Sequence, residues 1–293
     1  MRYDLFFTSP NIPEADFNAY FAGRPFYELT SGQAFYTNQE TGVYFSFEYS
    51  EPESEGGEEP GGSVAFNMNY YRPHYFALEA ESEVTRFVGY FGCSIYDPQM
   101  DGMEEGPYSP EGFIKGWNAG NAFGYRAVLK SNKDQPPPFT KKTAELEAAW
   151  LWNFHRQKQQ EDFGDDIFLP KIWYGLIDGV FGSITMWPDA ISCLFPEADF
   201  YHIPRKEMAP SRFLRGKQED FCIVAKEDLP PELFESFKTH ELGCSAYRLP
   251  RPEVGKSLTD FVRSLKAFKG QIEGVGSDSV LNIELVDQGD DQS

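Results

Sequence analysis

The chain has 293 residues, 41% of them hydrophobic and 16% aromatic, enough to bury a sizeable core and too apolar for a disordered polypeptide. Lys and Arg number 26 against 46 Asp and Glu, a formal charge of −20. Such a field repels nucleic-acid phosphates and anionic membrane surfaces, which argues against nucleic-acid and membrane partners, and it draws in cationic ones.

The opening residues carry only a short apolar run, interrupted by Asp4 and Pro10, so no secretory leader is expected. No run approaches the ~18 apolar residues of a membrane span. Cys93, Cys193, Cys222 and Cys244 are far apart and form no C-x-x-C pair, the pattern of reduced thiols in a cytoplasmic protein.

Residues 3–8 read as a first strand. Pro13, Glu14 and Asp16 suit the first turn of a helix with Asn11 as its cap, and Phe17, Tyr20 and Phe21 fall on one stripe before Gly23 ends it. Short strands follow at 26–29 and 34–36, turned at Ser31-Gly32. Residues 42–73 give the clearest local signal. Val43, Phe45, Phe47 and Tyr49 alternate with polar neighbours, and Val64, Phe66, Met68 and Tyr70 repeat the pattern, so both runs are half-buried strands. The loop between them carries Glu51, Glu53, Glu55, Glu58 and Glu59 among Pro and Gly, and reads as an exposed acidic segment able to meet a partner.

Residues 74–92 predict a helix with Val84, Phe87, Val88 and Phe91 inward, then a strand at 93–96 and a loop over 97–110. Residues 112–129 predict a helix carrying Phe113, Trp117 and Phe123. Its Gly116, Gly120 and Gly124, spaced by four, would let another backbone approach closely. Residues 132–139, with three consecutive prolines, are the expected linker between halves 1–131 and 140–293. Beyond it we expect a helix over 140–163 with Leu146, Ala149, Trp150, Asn153 and Phe154 on its stripe. Strands follow at 168–176 and 180–187, turned at Asp178-Gly179, and at 200–204 and 221–225. A helix begins near Leu229, another spans 257–268, and residues 279–286 alternate as a closing strand. The whole is an α+β fold, mainly antiparallel with helices on one face, and an echo between residues 6–29 and 221–249 raises duplicated halves as an option.

Catalytic signals are weak. No G-x-G-x-x-G, Walker or G-x-S-x-G motif is present. Asp97, Asp101 and Glu105 sketch a cation-binding loop, but Tyr108 stands where a bidentate acid belongs. His240 and Cys244 are four apart, with His240 expected in the last turn of a helix, and His202 lies in an apolar strand; these are the residues a catalytic site would draw on. No cofactor is expected. The preferred reading is a non-catalytic cytoplasmic protein binding a basic protein partner through acidic and aromatic surface. In character, though not in any motif, this is similar to the toxin-neutralising immunity proteins of bacteria. The competing readings are an enzyme or small-molecule binder with a pocket between the halves, and a structural subunit able to form a homo-oligomer.

Overall fold

A row of apolar side chains organises the first part of the fold. Leu5, Phe66, Phe47 and Ala34 stand opposite one another on adjacent strands, all fully buried. They belong to a seven-stranded sheet made of β1 (Arg2–Ile12), β2 (Tyr27–Thr30), β3 (Gln33–Thr37), β4 (Tyr44–Ser50), β5 (Gly62–Asn69), β6 (Ser94–Tyr96) and β7 (Glu105–Pro107). The order is β2-β3-β4-β5-β1-β6-β7, and every pairing is antiparallel. This computed structural model describes residues 1–51, 62–131, 137–212, 216–217, 219–230, 239–241, 245–248 and 256–287.

Three helices pack on the same face of that sheet: α1 (Glu14–Phe21), α2 (Tyr75–Phe91) and α3 (Pro110–Ser131). Phe21 of α1 and Phe87 of α2 meet Phe47 at ring-centroid distances of 5.1 and 5.0 Å, and Phe113 of α3 meets Phe66 at 5.5 Å. Each buried Phe contributes about 1.5–3 kcal/mol through the apolar area it withdraws from water. The expected α+β class with helices on one face is therefore what the chain forms. The N-cap position is taken by Pro13, not by the expected Asn11. Asn11 lies within β1, and the helix starts at Pro13 without a side-chain cap bond. The expected loop over 97–110 also holds β7, a short edge strand.

The chain forms two compact units, Met1–Leu146 with Asp278–Ser293, and Glu147–Ser277, whereas the sequence expected a boundary at 132–139. β8 (Phe139–Lys141) belongs to the first unit, and α4 (Thr143–Phe163) begins there and continues into the second. On α4 the fully buried indole is Trp152, which donates to Pro170 O at 2.8 Å, while Phe154 is 38% exposed. Leu146, Ala149 and Asn153 of the expected stripe are buried, while Trp152 takes the inward place expected of Trp150 and Phe154.

The second unit has its own five-stranded sheet. In chain order the described strands of the whole unit are β9 (Ile172–Ile177), β10 (Val180–Met186), β11 (Leu194–Pro196), β12 (Phe200–Arg205), β13 (Ser211–Arg212), β14 (Gly216–Lys217), β15 (Asp220–Ala225), β16 (Thr239–Glu241), β17 (Ser245–Arg248) and β18 (Ile272–Val275), with α5 (Lys256–Ser264) before the last; β11, β16 and β17 form a separate small sheet, and β13 and β14 another. The sheet order is β15-β12-β10-β9-β18, and β10 and β12 run parallel. That order differs from the first sheet, so the echo does not extend to topology. The Asp178-Gly179 turn forms as expected, with φ of +49° and +83°, the backbone a type I′ hairpin needs.

The chain then returns to the first unit as β19 (Val280–Asn282), parallel to β8, and α6 (Ile283–Asp287). This corrects the strand expected over 279–286. β8 offers only three residues to pair with, and Asn282 suits a helix start. Its side chain takes the His74 N–H at 2.8 Å and donates to Thr143 Oγ1 at 2.8 Å.

Candidate functional site

The glycines of α3 decide where the helix sits. A Cβ at Gly116 would lie 3.3 Å from both Gly102 N and Asp97 Oδ2, and one at Gly120 would lie 2.1 Å from the Tyr70 hydroxyl. Gly102 of the preceding loop is tighter still, its Cβ position 1.9 Å from Gly112 O. The four-residue spacing thus brings a backbone close, as the sequence implied. Seated this way, α3 packs beside α2. A groove of about 590 Å³ opens along the two helices, with Leu78, Pro110 and Ile114 as its apolar lining and Glu81, Glu111 and Lys115 as its charges.

The other acids of α2 are turned away from this groove. Glu79 is fully buried, and its Oε1 accepts from Tyr36 at 2.7 Å, Asn38 at 2.8 Å and Thr41 at 3.2 Å. Glu83 accepts from Arg24 at 2.8 Å, Tyr27 at 3.0 Å and Arg86 at 2.5 Å. Burial, reinforced by these carboxylates, pushes the Tyr27 and Tyr36 hydroxyls far above the usual phenol range. Glu81 alone faces the groove, accepting from Thr85 and Tyr108.

At the groove's far end the β5–α2 corner is held by polar side chains. Tyr71 sits at φ +64°, which strains a bulky residue. Asn121 of α3 holds it there. Its Oδ1 accepts the Tyr71 N–H at 2.6 Å and the Arg72 N–H at 3.3 Å, and its Nδ2 donates to Arg72 O at 2.8 Å. Arg72 donates to Tyr44 Oη at 2.8 Å and lies 3.7 Å from Asp278. His74 Nδ1 is 2.9 Å from Asn118 Oδ1, which also lines the groove.

The residues singled out from the sequence are not brought together. Asp97 is buried against α3, where Tyr3 Oη donates to it at 2.9 Å, while Asp101 and Glu105 are exposed. Burial lifts the Asp97 carboxyl above its ordinary range against the hydrogen bonds it accepts. The cation loop therefore does not assemble, and the described residues hold no group of three His, Cys, Asp or Glu placed for a metal. His240 lies in strand β16, not in a helical turn, because its backbone pairs with β17. Cys244 lies outside the described residues, as do Glu53, Glu55, Glu58 and Glu59; Glu51 is exposed at the end of β4. His202 is half-buried on β12 with its ring edge-on to Phe221 at 5.0 Å, and burial lowers its pKa. Asn118 and Asn121 were missed from the sequence, where nothing but their place between the glycines of α3 marks them.

Charge is divided unequally between the units. The first carries 26 acids and 10 bases, so 10 − 26 gives −16; the second carries 20 and 16, so 16 − 20 gives −4. No helix among the described residues is long and apolar enough to cross a membrane. No family model, curated protein or solved structure matches the chain.

Proposed function

We propose that this is a non-catalytic protein that binds a basic protein partner through its first unit, in the manner of a neutralising immunity protein. The observation that carries this reading is the concentration of −16 of the −20 charges on one unit, the unit that also bears the α2–α3 groove. Such a field steers a cationic partner and suppresses anionic ones. The groove supplies an apolar lining between Glu81 and Glu111, which suits the apolar stripe of a basic amphipathic helix laid between α2 and α3. The free, buried Cys93, Cys193 and Cys222 suit a reducing compartment such as the cytoplasm.

Calorimetric titration of the full chain with a panel of Lys- and Arg-rich amphipathic helical peptides tests the proposal. Binding should weaken about tenfold or more when salt is raised from low to several hundred millimolar, and the Glu81→Lys/Glu111→Lys variant should lose it. Equal binding by charge-reversed acidic peptides, unchanged binding by the variant, or no saturable binding by any basic member overturns the reading.

A further inference from the structure

A second cavity of the first unit, about 670 Å³, has two arginines and one aspartate on its lining. Arg2, Tyr70, Gln99, Asp101, Phe123 and Arg126 line it, from the start of β1, the loop after β6 and the C-terminal half of α3. Its volume lies within the range of small-molecule sites. Two guanidiniums converge here in a unit of charge −16. Arg2 is paired with Asp4 at 2.7 Å, whereas the exposed side chain of Arg126 makes no ion pair or hydrogen bond among the described residues. Phe123 is 62% exposed, offering an aromatic face beside that free cation.

Tyr70 supplies an independent observation. Only 9% of it is exposed, it packs against Tyr3 and Trp117, and its hydroxyl has no hydrogen-bond partner. Gly120, another lining residue, gives the hydroxyl its room, since any Cβ there would overlap it. A buried hydroxyl without an acceptor is costly, and a ligand acceptor would relieve that cost. The carboxylate of Asp101 stands on the same lining, and Asp97 and Asp4 also act on the Tyr70 hydroxyl, which together disfavour ligands of high negative charge.

We propose that this cavity binds a small aromatic monocarboxylate, its carboxylate held by Arg126 and the Tyr70 hydroxyl and its ring laid against Phe123. Guanidinium–carboxylate bonds are strong and directional, and one anionic charge is what a single unpaired guanidinium beside an aspartate can take. The α2–α3 groove plays no part in this binding, so its fate is independent of the peptide experiment.

The test titrates the full chain with benzoate and with benzamidine, which share size and shape and differ in charge, following backbone amide shifts by NMR. Benzoate should saturate in the low-millimolar range or better, as befits a ligand of nine heavy atoms, and benzamidine should not. Arg126→Gln should weaken benzoate about tenfold or more. Tyr70→Phe removes a hydroxyl that has no protein partner, so it should keep the fold intact and weaken benzoate several-fold. Asp101→Asn should tighten it. Equal binding of the two probes, no saturation by benzoate below about 10 mM, or unchanged affinity in Arg126→Gln overturns the proposal.

Discussion

Arg205 is a heavily committed side chain of the second unit, and replacing it should unfold that unit's tie to α5. The side chain is fully buried at the end of β12. Its Nε and Nη2 donate to the two oxygens of Asp220 on β15 at 2.8 and 2.9 Å, and Nη1 donates to Val262 O and Leu265 O at 2.9 Å each. Those carbonyls close α5, where helices leave acceptors unsatisfied and a cation is well placed. Arg205→Met matches the length and removes the donors. It strands a partly buried carboxylate and two carbonyls, and breaking a buried pair in this way costs about 3–5 kcal/mol. In urea, with a slope near 2 kcal/mol/M, the midpoint should fall by roughly 1.5–2.5 M. Trp187 reports this, because it lies in the same buried cluster as Val262 and Leu258. The double variant Arg205→Met/Asp220→Leu should recover part of the loss, since it removes the stranded charge but not the stranded carbonyls. A midpoint shift under about 0.5 M in Arg205→Met, with the slope unchanged, would refute the assignment of Arg205 as the tie between sheet and helix.

Two further substitutions test the first unit. Gly102→Ala should destabilise by about 1–3 kcal/mol, because its Cβ would lie 1.9 Å from Gly112 O, whereas Gly89→Ala, with open space around its Cβ on α2, should stabilise by up to about 1 kcal/mol; opposite signs in thermal unfolding are the check. Asp97→Asn tests a pH dependence. Burial raises the Asp97 pKa above the usual 3.8, so the native state holds its proton to higher pH than the unfolded chain. That contribution to stability is complete below about 3.8 and is lost as pH rises through the native value. Asn cannot titrate, so the fall of the melting temperature with rising pH should flatten in the variant, and an unchanged slope would count against a strained Asp97.

Strand and helix positions were legible where a period was strict. Phe45 and Phe47 against Phe66 and Met68 specified the β4–β5 pair, because a one-residue slip would turn four large apolar side chains to the other face. The alternation over 279–286 misled because period 2 tells which face a strand would bury, not whether a partner strand exists. α4 misled in another way. Leu146, Ala149 and Asn153 of its stripe are buried as expected, but Trp150 and Phe154 were placed there from hydrophobicity, while the burial of Trp152 is settled by an indole N–H meeting Pro170 O, a contact no local pattern encodes. The site was legible only in part. The glycine spacing of α3 pointed to close backbone approach, but Asn121 acts on Tyr71 across 50 residues of sequence, and Arg126 and Tyr70 come to line one cavity only through the fold.

The buried acids change what the charge of the first unit means to a partner. Glu79, Glu83 and Asp97 are all counted in its 26 acids, yet none is free to face one. Glu83 is neutralised by Arg24 and Arg86, and Asp97 is fully buried with the Tyr3 hydroxyl donating to it. Glu79 is stabilised by hydroxyl and amide donors, which ties the β3–β4 turn to α2. Under the proposed function, partner recognition would rest on exposed acids such as Glu111, with Glu81 half-buried at the groove. Removing them should alter the association rate and its salt dependence more than stability, since exposed charges contribute little to folding. Glu79→Gln should do the reverse, because its carboxylate is spent on holding the fold. A variant series that separated these two responses would distinguish acids that attract a partner from acids that build the unit presenting them.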